Sequence, residues 1–130
     1  MGWAQQEFET LDLGDARRNL RLIKLVDDLS APPTGSIPLA CGGWAETKAA
    51  YRLLDNPALD WREILDAPTE QTCERRRGQP VVLCLQDTTE LDFSSQPGMA
   101  GLGRLNDEAR PGVYLHPTLG VTPHRRQLKG

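Results

Sequence analysis

Asp87 is the residue whose type and setting point most directly to chemistry. It follows the apolar run Val81-Val82-Leu83-Cys84-Leu85-Gln86 and precedes Thr88-Thr89. Such a run reads as a strand buried on both faces, where a carboxylate is costly unless it meets something cationic. The hard ions Mg2+ and Mn2+ prefer carboxylate oxygens and would meet that need. A strand-end Asp capping the next turn, a frequent arrangement beside Thr, is the other reading, and the local pattern leaves both open. A metal-dependent active site needs several carboxylates. Glu90 and Asp92 are the nearest, but in a continuous strand they point to the face opposite Asp87. A small metal-dependent hydrolase using Asp87 with Glu90 or Asp92 therefore requires a bulge that re-aims one of them.

A second set of candidates is basic. In Arg17-Arg18-Asn19-Leu20-Arg21-Leu22-Ile23-Lys24 the bases precede the acids Asp27 and Asp28, which opposes the helix dipole by tenths of a kcal/mol. At 100° per residue Arg17, Arg21 and Lys24 fall within roughly a 60° arc beside an apolar face. That stripe suits an external anion, or it is a solvated face. Lys48 and Arg52, one turn apart beside Trp44 and Tyr51, form a second basic patch whose aromatics read as core or second-layer packing. Arg75-Arg76-Arg77 is either a phosphate-binding run or, as such runs usually are, a charge run favourable to a helix end and to solvation.

The elements that must position these residues follow from periodicity and punctuation. Trp3 to Phe8 is a short helix or arm, and Leu13-Gly14 breaks it and leaves Asp15 as an N-cap. A helix then runs from about Ala16 to Leu29 with Leu22, Leu25, Val26 and Leu29 on one face. Three prolines make Ser30 to Pro38 a loop closed by Gly42-Gly43. A second helix spans about Trp44 to Asp55, with a core face of Ala49, Ala50, Leu53 and Leu54, and stops at Asn56-Pro57. Asp60-Trp61-Arg62-Glu63 has capping-box spacing and opens a third helix, which Pro68 kinks or restarts and Gly78 and Pro80 end near Arg77. After the Asp87 strand comes a long aperiodic stretch, Ser94 to Gly112. Val113 to Val121 is a second strand, with Pro117 marking an edge or a bulge.

Composition sets limits on these readings. With 130 residues and a net charge of -3, the chain has room for a domain and part of another, and it is no uniformly basic nucleic-acid coat. It has no membrane-length apolar run and no signal-peptide pattern near Met1, so a cytoplasmic location without membrane partners is expected. Cys41, Cys73 and Cys84 are odd in number and scattered, which indicates neither a disulfide framework nor a zinc site and suits small buried or half-buried residues.

Four motifs occur in one order: Trp3-Ala4 with Phe8; Leu13-Gly14-Asp15 with Arg17-Arg18 and Arg21-Leu22; Gly43-Trp44-Ala45-Glu46-Thr47-Lys48-Ala49-Ala50-Tyr51-Arg52-Leu53-Leu54-Asp55-Asn56; and Leu85-Gln86-Asp87-Thr88-Thr89. Together they resemble the amino-terminal portion of the insertion sequence four family of DDE transposases, of the transposon five type. The resemblance implies a helical domain, residues 1–78, that binds double-stranded DNA at terminal inverted repeats. It also implies that residues 79–130 begin an RNase H-like catalytic domain. Asp87 matches the first acidic ligand of the Mg2+ or Mn2+ centre, Arg17, Arg18 and Arg21 match the start of the first DNA-contacting helix, and His116 matches a strand histidine. The second Asp and the Glu of the triad would lie beyond Gly130. The expectation is thus an α+β chain, a helical bundle followed by an incomplete RNase H-like sheet of two strands. It would recognise transposon ends without independent catalysis and tend to self-associate through exposed strands. A decayed, non-functional product is the alternative.

Overall fold

The structure, a computed structural model, describes residues 2–106 and 109–123. It divides into two compact units, residues 1–77 and 78–130, mixing helices with small antiparallel sheets.

The first unit holds five helices: α1 (Trp3–Glu7), α2 (Ala16–Ser30), α3 (Ile37–Cys41), α4 (Trp44–Leu54) and α5 (Trp61–Arg76). Leu22 and Leu25 of α2, Ala50 and Leu53 of α4, Ala67 of α5, and Phe8, Leu11 and Leu13 ahead of α2 make one apolar cluster. The Asp15 carboxylate accepts the Arg17 N–H, and the Asp60 carboxylate accepts that of Arg62. Each cap satisfies one of the donors that a helix start leaves without an intrahelical acceptor. Gly14, at φ 72°, makes the left-handed turn that carries the buried Leu13 into the Asp15 cap.

Several expectations are corrected in this unit. The proline-rich stretch is not loop throughout, because the Ser36 hydroxyl caps the Leu39 N–H and Pro38 falls in the first turn of α3. Proline costs no intrahelical bond there. Pro68 does not divide α5, which runs as one helix. The core face of α4 is Thr47, Ala50 and Leu53, while Leu54 is exposed. Trp44 and Tyr51 are exposed as well, at 77% and 45%, and do not pack as core. Cys73 and Cys84 are exposed, and only Cys41 is half-buried.

Among the described residues of the second unit the two expected strands are four: β1 (Leu83–Gln86), β2 (Thr89–Asp92), β4 (Pro111–Leu115) and β5 (Thr118–Val121). A two-residue β3 (Gly103–Arg104) joins them. β1 pairs with β5 from Leu83↔Val121 to Gln86↔Thr118, and β2 pairs with β4 from Thr89↔Leu115 to Asp92↔Gly112. Both pairings keep one register, so these segments form a single long hairpin interrupted once. Carried across the break, that register sets Asp87 opposite Pro117 and Thr88 opposite His116. Pro117 has no N–H to give the ladder, which accounts for an interruption at this level.

The long connection is not structureless. It adds β3 to the edge of β4 and buries Leu105, which sits where any side chain on Gly112 would project. The other face of the hairpin stays open. Leu83, Leu85, Leu91, Val113, Leu115 and Leu119 alternate onto it and are all exposed. The expectation of an apolar strand buried on both faces is corrected here: β1 is exposed at every position.

Candidate functional site

The expected bases of α2 differ sharply in what they do. Arg17 projects into solvent with its side chain 91% exposed, 3.5 Å from Asp15. Arg18 turns inward, its guanidinium donating to the Leu13 carbonyl at 3.0 Å. Arg21 reaches across to α4 and meets the Glu46 carboxylate at 2.6 Å. Lys24 lies 2.7 Å from Asp28 and 3.7 Å from Glu46, and the hydrogen bond it donates to the Asp28 carboxylate is the first cause of a Lys24 pKa raised above its usual value. Arg17, Leu20, Arg21 and Lys24 together line a shallow concavity of about 350 Å³.

Asn19, which periodicity gave no reason to single out, fixes the approach to this surface. Its side-chain oxygen accepts the Leu13 N–H and its amide nitrogen donates to the Leu11 carbonyl, both at 2.9 Å. One side chain thereby satisfies two backbone groups of the connector between α1 and α2. A polar residue on the first turn of α2, just beyond an N-cap, is the one signal for it in the sequence.

On α4, Lys48 and Arg52 are exposed, and neither forms an ion pair among the described residues. Trp44 and Tyr51 stand with them on a roughly 100° arc of the helix. The face thus presents two uncompensated cations and two exposed aromatic rings. Phosphate oxygens take such cations, and bases stack on such rings. In the Arg75-Arg76-Arg77 run, Arg75 makes a two-pronged pair with Glu7, at 2.7 and 2.9 Å, and Arg77 pairs with Glu74. The Arg75 bond holds the Glu7 carboxyl below its usual pKa.

In the second unit Asp87 sits at the interruption of the hairpin, its carboxylate accepting the N–H of Thr88 at 2.8 Å. By register it shares the open apolar face. Glu90 and Asp92 lie on the opposite face, where Arg110 binds both, at 3.1 and 3.2 Å. Hydrogen bonds from Ser94, with Arg110 adding to them, hold the Asp92 carboxyl below its usual pKa. No bulge re-aims either acid toward Asp87. Among the described residues no group of three or more His, Cys, Asp or Glu could hold a metal ion, so this set does not fit a two-metal centre. His116 is tied by Nδ1 to the Thr88 hydroxyl at 2.7 Å.

The exposed cations of α2 and α4 thus lie in the helical unit, and the comparison with known families falls on the same stretch. Residues 1–59 match the transposase DNA-binding family. The match takes in α1 to α4 and ends before α5. It supports a DNA-binding segment of transposase type, with DNA as its partner. Among the described residues no helix is long and apolar enough to cross a membrane.

Proposed function

We propose that this chain binds double-stranded DNA at the terminal inverted repeats of a transposable element, as part of a DDE transposase of the insertion sequence four family. The observation that carries the proposal is the transposase DNA-binding match over the residues that build the α2 and α4 surfaces. Arg17, Arg21 and Lys24 on α2, with Lys48 and Arg52 on α4, are the residues assigned to phosphate contact. Arg suits the phosphate fork and also reads guanine edges. Arg18 enters the same surface as a positioning residue, through its bond to Leu13.

The second unit is assigned to the start of an RNase H-like catalytic domain, with Asp87 its first ligand for Mg2+ or Mn2+. A working centre needs further carboxylates that the described residues of this unit do not bring beside Asp87, so the chain alone is assigned no cleavage activity. A hydrolase built on Glu90 or Asp92 has little support, since both acids are engaged by Arg110 on the other face.

The test is duplex binding over a range of salt. Each lost phosphate contact lowers the slope of log affinity against log salt by about 0.9. Replacing Arg17, Arg21 and Lys24 by Ala should weaken binding and flatten that slope, and replacing Lys48 and Arg52 should do so independently. Unchanged affinity and slope in both variants would leave these residues as solvated surface.

A further inference from the structure

We propose that Glu46 is a built-in competitor for the DNA backbone, its carboxylate holding between Arg21 and Lys24 the place that a phosphate takes when duplex binds. The inference rests on the DNA-binding reading above and adds what sets the strength of the α2 surface.

Arg21 and Lys24 each border two concavities. Toward α4 they line a crevice with Asp28, Cys41 and Glu46, and toward solvent they line the open concavity with Arg17 and Leu20. The inner position is filled by Glu46, 2.6 Å from Arg21 and 3.7 Å from Lys24. Glu46 does not depend on those cations for its place, because it occupies the first turn of α4, where the helix dipole favours a carboxylate. The side chains of Arg21, Lys24 and Glu46 are 37%, 46% and 39% exposed. Ion pairs this open to water are weak, and a phosphate can displace them. A phosphate offers the Arg fork the same charge-assisted, two-oxygen acceptor that a carboxylate does. DNA binding at α2 is therefore an exchange of one anion for another, and a loosely placed or low-charge ligand does not complete it.

The opposite role, Glu46 orienting Arg21 for contact, predicts the opposite sign, so one substitution decides. Binding of a short random-sequence DNA duplex by the full chain and by Glu46→Gln is compared at fixed ionic strength. Releasing two exposed pairs should tighten binding roughly two- to twenty-five-fold. Glu70→Gln, an exposed position on α5, makes the same change in net charge away from α2 and should have a smaller effect. The gain should vanish when Arg21 and Lys24 are both Gln. Weaker or equal binding by Glu46→Gln, a gain matched by Glu70→Gln, or a gain that survives loss of both cations overturns the proposal. No binding by either the parent chain or Glu46→Gln overturns the DNA reading itself, a distinguishable result. Should Glu46→Gln not fold, the side-chain carboxyl ¹³C resonance of Glu46 in the unmodified chain decides: it should move on saturation with duplex, and a resonance that stays fixed refutes the exchange.

Discussion

Asn19→Ala should destabilise the helical unit by about 2 kcal/mol, although the hydrogen bonds of its side chain go to the connector ahead of α2 and not to the basic side chains. The orientation of its amide is not arbitrary, because the Leu13 N–H can only donate and the Leu11 carbonyl can only accept. Truncation removes both bonds and leaves two part-buried backbone groups without partners. A net value near 1 kcal/mol per bond gives about 2 kcal/mol, and full desolvation of either group would raise it. Leu11 and Leu13 both belong to the main apolar cluster, so the backbone cannot swing out to water without uncovering them.

Thermal unfolding of the full chain followed by circular dichroism at the helix band reads the effect. For a domain of this size 2 kcal/mol corresponds to a fall in Tm of roughly 8–16 °C. Asn19→Asp keeps the acceptor for Leu13 but loses the donor to Leu11, and should fall between Ala and the parent. A change in Asn19→Ala below about 0.5 kcal/mol, the range of ordinary surface substitutions, would refute the assignment.

Two further outcomes follow from the same geometry. The Glu7–Arg75 pair lowers the Glu7 pKa from its ordinary 4.5, so its contribution is present above that value and is lost as pH falls through the lowered one; the destabilisation caused by Arg75→Gln should therefore shrink on acidification below 4.5, and a pH-independent difference in Tm would contradict it. In the second unit the open leucine face should drive concentration-dependent association that Leu85→Lys with Leu119→Lys reduces in sedimentation, and the purified chain should not nick supercoiled plasmid with Mg2+ or Mn2+; nicking abolished by Asp87→Asn would mean that carboxylates from elsewhere complete the site.

What could be read from the sequence was whatever local rules decide. The Asp15 and Asp60 caps, the stop at Asn56-Pro57 and the apolar stripe of α2 all depend on neighbours within a turn or two. The α3 helix was hidden because proline is a breaker inside a helix and an asset in its first turn, and the difference lies in where Ser36 places the cap. The exposure of Trp44 and Tyr51 was hidden for another reason. Their angular position opposite the α4 core is legible, but whether a neighbouring element covers that side is a tertiary fact. The pairs Arg21–Glu46 and Arg75–Glu7, separated by 25 and 68 residues, leave no periodic trace at all. Pro117 was visible as a disturbance in one strand; that it stands across the ladder from Asp87 required the register.

The two basic surfaces of the helical unit solve one electrostatic problem in different ways. A chain of net charge -3 gains no long-range attraction to DNA from its total charge, so binding must come from where the cations are held. On α4, Lys48 and Arg52 form no ion pair among the described residues, so each phosphate contact proposed for them would neutralise a phosphate outright and release its counterions. On α2, Arg21 and Lys24 are already paired with Glu46 and Asp28. The cost is that each contact must displace a carboxylate, returning a negative charge to the edge of the interface. On the proposed assignment, the α4 surface should therefore contribute the larger share of salt-dependent affinity, and the α2 surface the larger share of discrimination between a correctly seated duplex and a passing anion.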